Sequence, residues 1–145
     1  MPRPFRGSLV AAVVLAALGY WVAPAGATEP EPPKPACEAK LNYIHKSTSA
    51  GTAGRVKVYG STVCNLPMEV ISVEVLLYQE AGGQVVLIGT SPDPIATGRA
   101  SIGRSAVGGT CTPGYYYAES THFAKFGPYT FTKSIESGRQ FVSCA

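Results

Sequence analysis

Short segments in which apolar and polar side chains alternate with a period of two dominate the chain after residue 36. Such alternation is typical of a β-strand that buries one face. The clearest segment runs from Glu69 to Glu80, and one of its faces carries Ile71, Val73, Val75 and Leu77. Gly82-Gly83 follows and predicts a tight hairpin turn to a partner strand at Val85–Ile88.

Further strand segments recur at 37–43, 55–64, 115–123, 129–135 and 140–144. Asn65-Leu66-Pro67 predicts a turn, and 95–109 has only a weak strand signal because it is rich in Gly, Ala and Ser. No segment predicts a helix of three turns. Short strands separated by turns favour an all-β architecture. We therefore predict a single immunoglobulin-like antiparallel β-sandwich of about seven strands over residues 37–145.

Residues 1–27 predict a cleaved secretory signal peptide. Arg3 and Arg6 provide the positive start, an apolar run follows, and Ala25-Gly26-Ala27 suits signal peptidase. The alternative is a retained membrane anchor. The apolar run, Leu9–Ala23, is about fifteen residues long, which is short of the roughly 20 that a spanning helix needs. We therefore expect a secreted protein with no membrane contact after cleavage.

The charge of the mature chain argues against two classes of partner. The full chain has 12 basic and 9 acidic side chains, and loss of Arg3 and Arg6 leaves ten against nine, a net charge of +1. No basic patch of the kind that binds nucleic acid or an anionic membrane remains. We expect neither of these partners.

Four cysteines follow the signal peptide: Cys37, Cys64, Cys111 and Cys144. An even number of cysteines in an oxidising compartment predicts two disulfides. Three pairings are possible, and we favour Cys37–Cys64 with Cys111–Cys144 because each ties a strand to one near it in sequence. A metal site would need Cys or His at short spacing, which the chain lacks. We expect no metal and no cofactor.

Residues 28–36 predict an extended N-terminal arm. They begin TEPEPPKP, and four prolines in eight residues favour polyproline II over a packed strand. One interpretation is a passive spacer, and the other is a segment that docks into a groove of another protein. In the second interpretation, the candidate partner-binding residues are Glu29, Pro30, Pro32, Pro33 and Lys34.

Seven of the eleven aromatic residues beyond the signal peptide lie between Gly114 and Phe131. In a strand over 115–123, odd-numbered residues share one face and even-numbered residues share the other. Tyrosine is enriched at protein interfaces because it buries much area and keeps a polar tip. The alternative is cross-strand packing without any ligand. The candidate partner-binding residues here are Tyr115, Tyr116, Tyr117, Glu119 and Phe123.

Few side chains suggest catalysis. His45 and His122 have no accompanying catalytic motif, so we interpret both as structural histidines that are half-buried or at the surface. Asp93 lies between two prolines, where its side chain suits a turn. Glu119 and Glu136 could form the carboxylate pair of a glycosidase only if their strands bring them face to face. We expect that the protein is not an enzyme.

The signal peptide, the TEPEPPKP arm, the four cysteines and the YYY strand together resemble the layout of small secreted β-sandwich proteins of actinobacteria. Within that group, the layout is similar to the adaptor subunits of umbrella toxin particles. The resemblance implies a noncatalytic bridge between a lectin-bearing subunit and a repeat-rich toxin polypeptide. It also implies that the N-terminal arm inserts into a partner.

Two other functions stay open. Secreted inhibitors of proteases or amylases also resemble this plan, and they present a rigid loop or an aromatic face to an enzyme. A carbohydrate-binding module is the third interpretation, although loss of Trp21 with the signal peptide leaves no tryptophan for sugar stacking. We expect a chain that is a monomer by itself and binds an extracellular protein.

Overall fold

The computed structural model describes Gly26 and residues 29–145. Apart from Gly26, the predicted signal peptide therefore lies outside the described residues. In the described part of the chain, no helix is long and apolar enough to cross a membrane. The strands are β1 (Cys37–Leu41), β2 (His45–Lys46), β3 (Arg55–Met68), β4 (Val70–Ala81), β5 (Gln84–Thr90), β6 (Ile95–Ala96), β7 (Arg99–Thr110), β8 (Gly114–Phe126), β9 (Tyr129–Glu136) and β10 (Gln140–Val142).

These strands form two antiparallel sheets that pack against each other. In the first sheet β3 is central, with β1 and β2 along one side and β7 along the other. In the second sheet β4 and β8 are central, with β5 and β6 beside β4 and with β9 and β10 beside β8. The strands thus fill seven positions, three against four, in the order of an immunoglobulin-like sandwich. The predicted fold class is confirmed.

The core lies between the inward faces of the central strands. The alternation in β4 places Ile71, Val73, Val75 and Leu77 there, each at 0% exposure, as predicted. From the opposite sheet, β3 contributes every second side chain, including Val56 and Val58. Burial of apolar side chains from both sheets supplies the main driving force for packing them together.

Two boundary predictions are wrong. Asn65-Leu66-Pro67 does not form a turn, because β3 continues to Met68 with a register shift after Val63 that accommodates the irregular segment. The weak segment 95–109 holds all but the last residue of the twelve-residue strand β7, which pairs along most of β3. Its small residues are needed where the sheets meet, since a Cβ on Gly108 would lie 2.7 Å from Cδ1 of Ile88.

Both favoured disulfides are confirmed. Cys37 and Cys64 are opposite each other in the β1–β3 pair, so this bond lies within the first sheet. The Cys111–Cys144 bond joins the end of β7 to the residues after β10, and so it connects the two sheets. Chain-entropy arguments assign roughly 3–4 kcal/mol to each loop. Two disulfides in a small all-β chain are consistent with an extracellular protein.

Tyr116 closes the corner between the two sheets. Its side chain is only 1% exposed, and its hydroxyl donates to the backbone carbonyl of Thr112 at 2.7 Å. The backbone N–H of Thr112 in turn donates to the Tyr116 hydroxyl at 3.3 Å. A tyrosine near the start of this strand that bonds back to the preceding corner is a recurrent feature of immunoglobulin-like sandwiches. Tyr116 therefore stabilises the β7–β8 connection.

His122 is fully buried, at 0% exposure, and not at the surface or half-buried as expected. The hydroxyl of Thr62 donates to the carbonyl of Ser72 at 2.8 Å, so it must accept its 2.8 Å bond from Nδ1 of His122. Burial lowers the pKa of His122 and favours the neutral ring, so Nε2 has no proton and accepts from the hydroxyl of Ser120 at 2.7 Å. The network joins β8 to β3 across the core.

Acid should destabilise the fold through His122. Burial, and then the charge of Lys133 opposite it on β9, lower the pKa of His122 below its usual value of about 6.5. As pH falls through 6.5, the unfolded chain binds this proton first, so the free energy of unfolding decreases below that pH. Urea unfolding between pH 7.5 and pH 5 (about the range in which histidine titrates) measures the effect.

The matched variants are His122→Gln and His45→Gln. His122→Gln is less stable at pH 7.5, but its stability depends less on pH over this range because the buried titrating group is gone. His45→Gln makes the same substitution outside the buried network and serves as the comparison. An unchanged slope in His122→Gln would contradict this assignment.

Tyr116→Phe should lower the free energy of unfolding by about 1–2 kcal/mol, because the carbonyl and N–H of Thr112 lose their partner. Urea denaturation at neutral pH measures the loss. Tyr43→Phe is the control, since Tyr43 is 70% exposed and loss of its hydroxyl should change the free energy of unfolding little. Equal stability of the two variants would show that the corner bond contributes nothing.

Candidate functional site

The rings of β8 divide between the two faces of the second sheet. Tyr116 points into the core, so it is not available to a partner, and this corrects its inclusion among the candidate contact residues. Tyr115 lies on the outer face and is 39% exposed. Tyr117 and Glu119 are also on the outer face and are half-buried. Alternation therefore accounts for adjacent tyrosines with different roles.

Tyr115 is held in place by a stack of side chains from three strands or their ends. Its ring meets the ring of Phe141 edge-on, with centroids 5.2 Å apart. The guanidinium carbon of Arg139 lies 3.6 Å from the centroid of the Tyr115 ring. Arg139 also donates two hydrogen bonds to the carboxylate of Glu80, at 2.7 and 2.8 Å. These contacts restrict the ring before any partner binds.

The ion pair with Arg139 changes the pKa of Glu80. The hydrogen bonds from Arg139 lower the pKa of the Glu80 carboxyl below its usual value. The pair is solvent-exposed, so its main effect is to orient the guanidinium over Tyr115. The candidate residues predicted from sequence included none of Glu80, Arg139 and Phe141, because only the pairing of β10 with β8 brings Phe141 opposite Tyr115.

The β4–β5 hairpin extends the apolar surface beyond Tyr115. Gly82 and Gly83, at φ values of 59° and 77°, form the two-residue turn predicted from the sequence. Beyond the turn, Val85 and Leu87 are 58% and 50% exposed. Leu87 pairs with Tyr78, which pairs in turn with Tyr117 on β8.

We call the resulting surface the outer patch. Its residues lie in two neighbouring rows across the sheet, and they are Tyr78, Val85, Leu87, Tyr115, Tyr117 and Phe141. Apart from the half-buried Tyr78 and Tyr117, each is at least 39% exposed. Exposed apolar residues grouped on one face in this way mark interaction sites in soluble proteins.

Carboxylates border the outer patch. Glu119 and Glu136 are directly opposite in the β8–β9 pair, which answers the question of register that the sequence left open. Tyr78 and Tyr117 donate to the two oxygens of Glu119, at 3.3 and 3.1 Å. Burial, followed by Glu119 and Glu136, raises the pKa of Tyr117 to about 12. Both phenols therefore stay protonated at physiological pH and act as donors to Glu119.

A serine and a histidine also lie close together, but in the core. Oγ of Ser120 is 2.7 Å from Nε2 of His122, a distance typical of a nucleophile and its base. Both residues are at most 1% exposed, so no substrate reaches them. The pair is explained by the polar network that it forms with Thr62. Among the described residues, no group of His, Cys, Asp and Glu side chains is arranged to hold a metal ion.

Phe123, another predicted contact residue, lies apart from the outer patch. Phe123 is half-buried on the same face of β8, six residues or roughly 20 Å beyond Tyr117. The end of the N-terminal arm runs beside Asn65 of the first sheet, whose amide donates to the carbonyl of Lys34 and accepts from the N–H of Ala36, each at 2.9 Å. Residues 29–33 are exposed and have no regular secondary structure.

A scan against protein-family models found no match for this chain, and a search of curated proteins found no relative. The candidate site therefore rests on the geometry of the outer patch. Its composition of aromatic and aliphatic side chains with hydrogen-bonded polar tips resembles the centre of protein interfaces.

Glu119→Gln should lower the pKa of Tyr117 from about 12 towards its usual value of 10, because the variant removes the nearest negative charge and leaves a weaker acceptor. The ¹³C NMR shift of the Tyr117 ring carbon that bears the oxygen, followed as pH rises, measures the change. Glu74→Gln is the control: it alters a carboxylate that acts on Tyr78. An unshifted pKa in Glu119→Gln would contradict the bond between Tyr117 and Glu119.

Proposed function

We propose that this protein is a secreted, noncatalytic binding module and that the outer patch is its contact face for another extracellular protein. The observation that supports this most directly is the exposure of Val85, Leu87, Tyr115 and Phe141 on one side of a rigid sheet. A monomeric protein of this size has no structural need for such a surface. A partner would bury these side chains and contribute apolar transfer energy.

The pre-formed geometry of Tyr115 favours tight binding. Arg139 and Phe141 already restrict its ring, so little side-chain entropy is lost when a partner covers it. Aromatic and arginine side chains in the middle of a patch are the types that most often dominate binding energy. We therefore assign the central contact to Tyr115, Phe141 and Arg139.

We further propose that the protein is an adaptor that bridges two subunits of an extracellular, toxin-type complex. The outer patch belongs to the second sheet, whereas the end of the arm at Lys34–Ala36 is bound to Asn65 of the first sheet. Two surfaces on different sheets allow two partners to bind at the same time. The resemblance to umbrella-toxin adaptors agrees with this arrangement, with the arm as the inserted segment.

A second candidate is an inhibitor of an extracellular hydrolase, favoured by the β4–β5 hairpin. This hairpin carries Val85, Val86 and Leu87, each at least 44% exposed, on two faces of a short two-strand projection. A rigid, apolar hairpin is a suitable element to occupy the cleft of an enzyme. Loss of the hydrolase's activity on binding, which an adaptor would not cause, distinguishes the two functions.

Pull-down from the producing culture with residues 28–145 as bait should recover two partners through separate surfaces. Tyr115→Ala combined with Phe141→Ala should lose one partner, because the stacked rings are removed. Deletion of residues 28–33 should lose the other and leave the contacts to Asn65 intact. Mass spectrometry of the recovered proteins and a binding titration for each measure the outcome.

Tyr43→Ala is the matched control, since Tyr43 is exposed but outside the outer patch. It should keep both partners. If the double variant keeps every partner at wild-type affinity, the outer patch is not the contact face. If the deletion keeps every partner, the arm is a spacer. Binding of polysaccharide alone, lost in the double variant, would instead indicate a carbohydrate-binding module.

A further inference from the structure

The strand β5 has an open edge at its first half. It pairs with β4 on one side, and the pair that closes the two-residue turn is Ala81–Gln84. In such a hairpin the closing pair is hydrogen-bonded and the following pairs alternate, so Glu80–Val85 and Tyr78–Leu87 are non-hydrogen-bonded pairs. The backbone N–H and C=O groups of Val85 and Leu87 therefore point away from β4. They form a short row of donors and acceptors at the edge of the sheet.

The rest of this edge is protected from pairing with another strand, whereas its first half is not. At Gly89 the strand lies so close to β7 that a Cβ would be 2.7 Å from the carbonyl oxygen of Val107. Pro92 and Pro94 follow, with Asp93 between them at φ 45°. Prolines, charges and covering strands are the devices that block pairing of sheet edges. Residues 84–87 have none of them, since they are Gln-Val-Val-Leu.

We propose that residues 84–88 form a pairing edge for a second copy of this chain. The two β5 strands run antiparallel about a two-fold axis at Val86, so that Val85 is opposite Leu87 of the other copy. Both residues present their backbone groups to the edge, and the two symmetric pairs therefore exchange four hydrogen bonds. Val86 is opposite its own counterpart at the axis.

The side chains of the segment complement themselves in this register. On the outer face, Val85 of each copy contacts Leu87 of the other, and on the opposite face the two Val86 side chains meet. These residues are 58%, 50% and 44% exposed in the single chain, so each has apolar surface to bury. The segment has no charge, so no like charges are brought together. One strand thus supplies what both sides of a two-fold interface require.

The size of this contact sets its strength. Three side chains and a few backbone groups from each copy bury far less than the roughly 1,200–2,000 Å² of stable complexes. The dimer is therefore reversible, and the chain is a monomer at low concentration. In the dimer the second sheets of the two copies, with four strand positions each, join into one sheet of eight positions, with both outer patches on the same face. Two patches on one rigid sheet increase the avidity for a partner with repeated sites.

Sedimentation velocity of the purified mature protein tests the proposal, from about 10 μM to about 1 mM, the range expected for a small interface. The weight-average sedimentation coefficient of the wild type should increase with concentration. Val86→Lys should remain a monomer throughout, because the variant places two ammonium groups opposite each other at the axis. Val63→Lys is the matched control, at an exposed valine (42%) on the other sheet, and should associate like the wild type.

Two further variants distinguish loss of the pairing edge from loss of the fold. Val85→Pro removes an outward N–H but no bond to β4, so it should fold and fail to associate. Val86→Cys should form a disulfide-linked dimer under oxidation, because residues opposite each other in a non-hydrogen-bonded pair are close enough for this bond. Val63→Cys should not form one. A wild type that stays monomeric at 1 mM (roughly the upper limit of useful weak affinity), or a Val86→Lys variant that still dimerises, overturns the proposal.

Discussion

The pairing of β4 with β8 is the interaction on which the rest of the structure depends. The two strands are joined in an unbroken register from Val70–Lys125 to Gln79–Tyr116, at the centre of the second sheet. This register decides which residues of both strands face the core and which face outward. It sets Tyr117 beside Tyr78 on the outer face and His122 beside Val73 on the inner one. The outer patch and the buried polar network are consequences of the same pairing.

Contacts on the inner face of the second sheet make the sandwich rigid and so hold the outer patch in place. Thr62 and His122 connect the sheets through the core by a bond in which donor and acceptor are both determined. The corner bond of Tyr116 and the Cys111–Cys144 disulfide connect them at one end of the sandwich. A scaffold that is tied together in these ways presents its surface in one geometry, so partners bind without the cost of ordering a loop.

Sequence reasoning succeeded where the information is local and was wrong where it depends on distant residues. The strand predicted at Glu69–Glu80 is β4 (Val70–Ala81), because the alternation repeats over twelve residues. The segment 95–109 lacks such alternation, and its conversion into β7 requires the long partner β3. Arg139 joined the candidate site only in the structure, because its contacts with Glu80 and Tyr115 cross 59 and 24 positions of the chain. Long-range contacts of this kind have no sequence pattern of their own.

The sequence alone determined the strand periodicity and the hairpin at Gly82-Gly83. The even number of cysteines predicted two disulfides, and their positions favoured pairs between strands that are near each other in the chain. The sequence also indicated that odd-numbered and even-numbered residues of 115–123 have different surroundings. Only the tertiary structure decided that Tyr116 faces the core and Tyr115 faces solvent. The physical reason is that a strand has two equivalent faces until a second sheet covers one of them. Which face is covered depends on register, and register is a property of strand pairs.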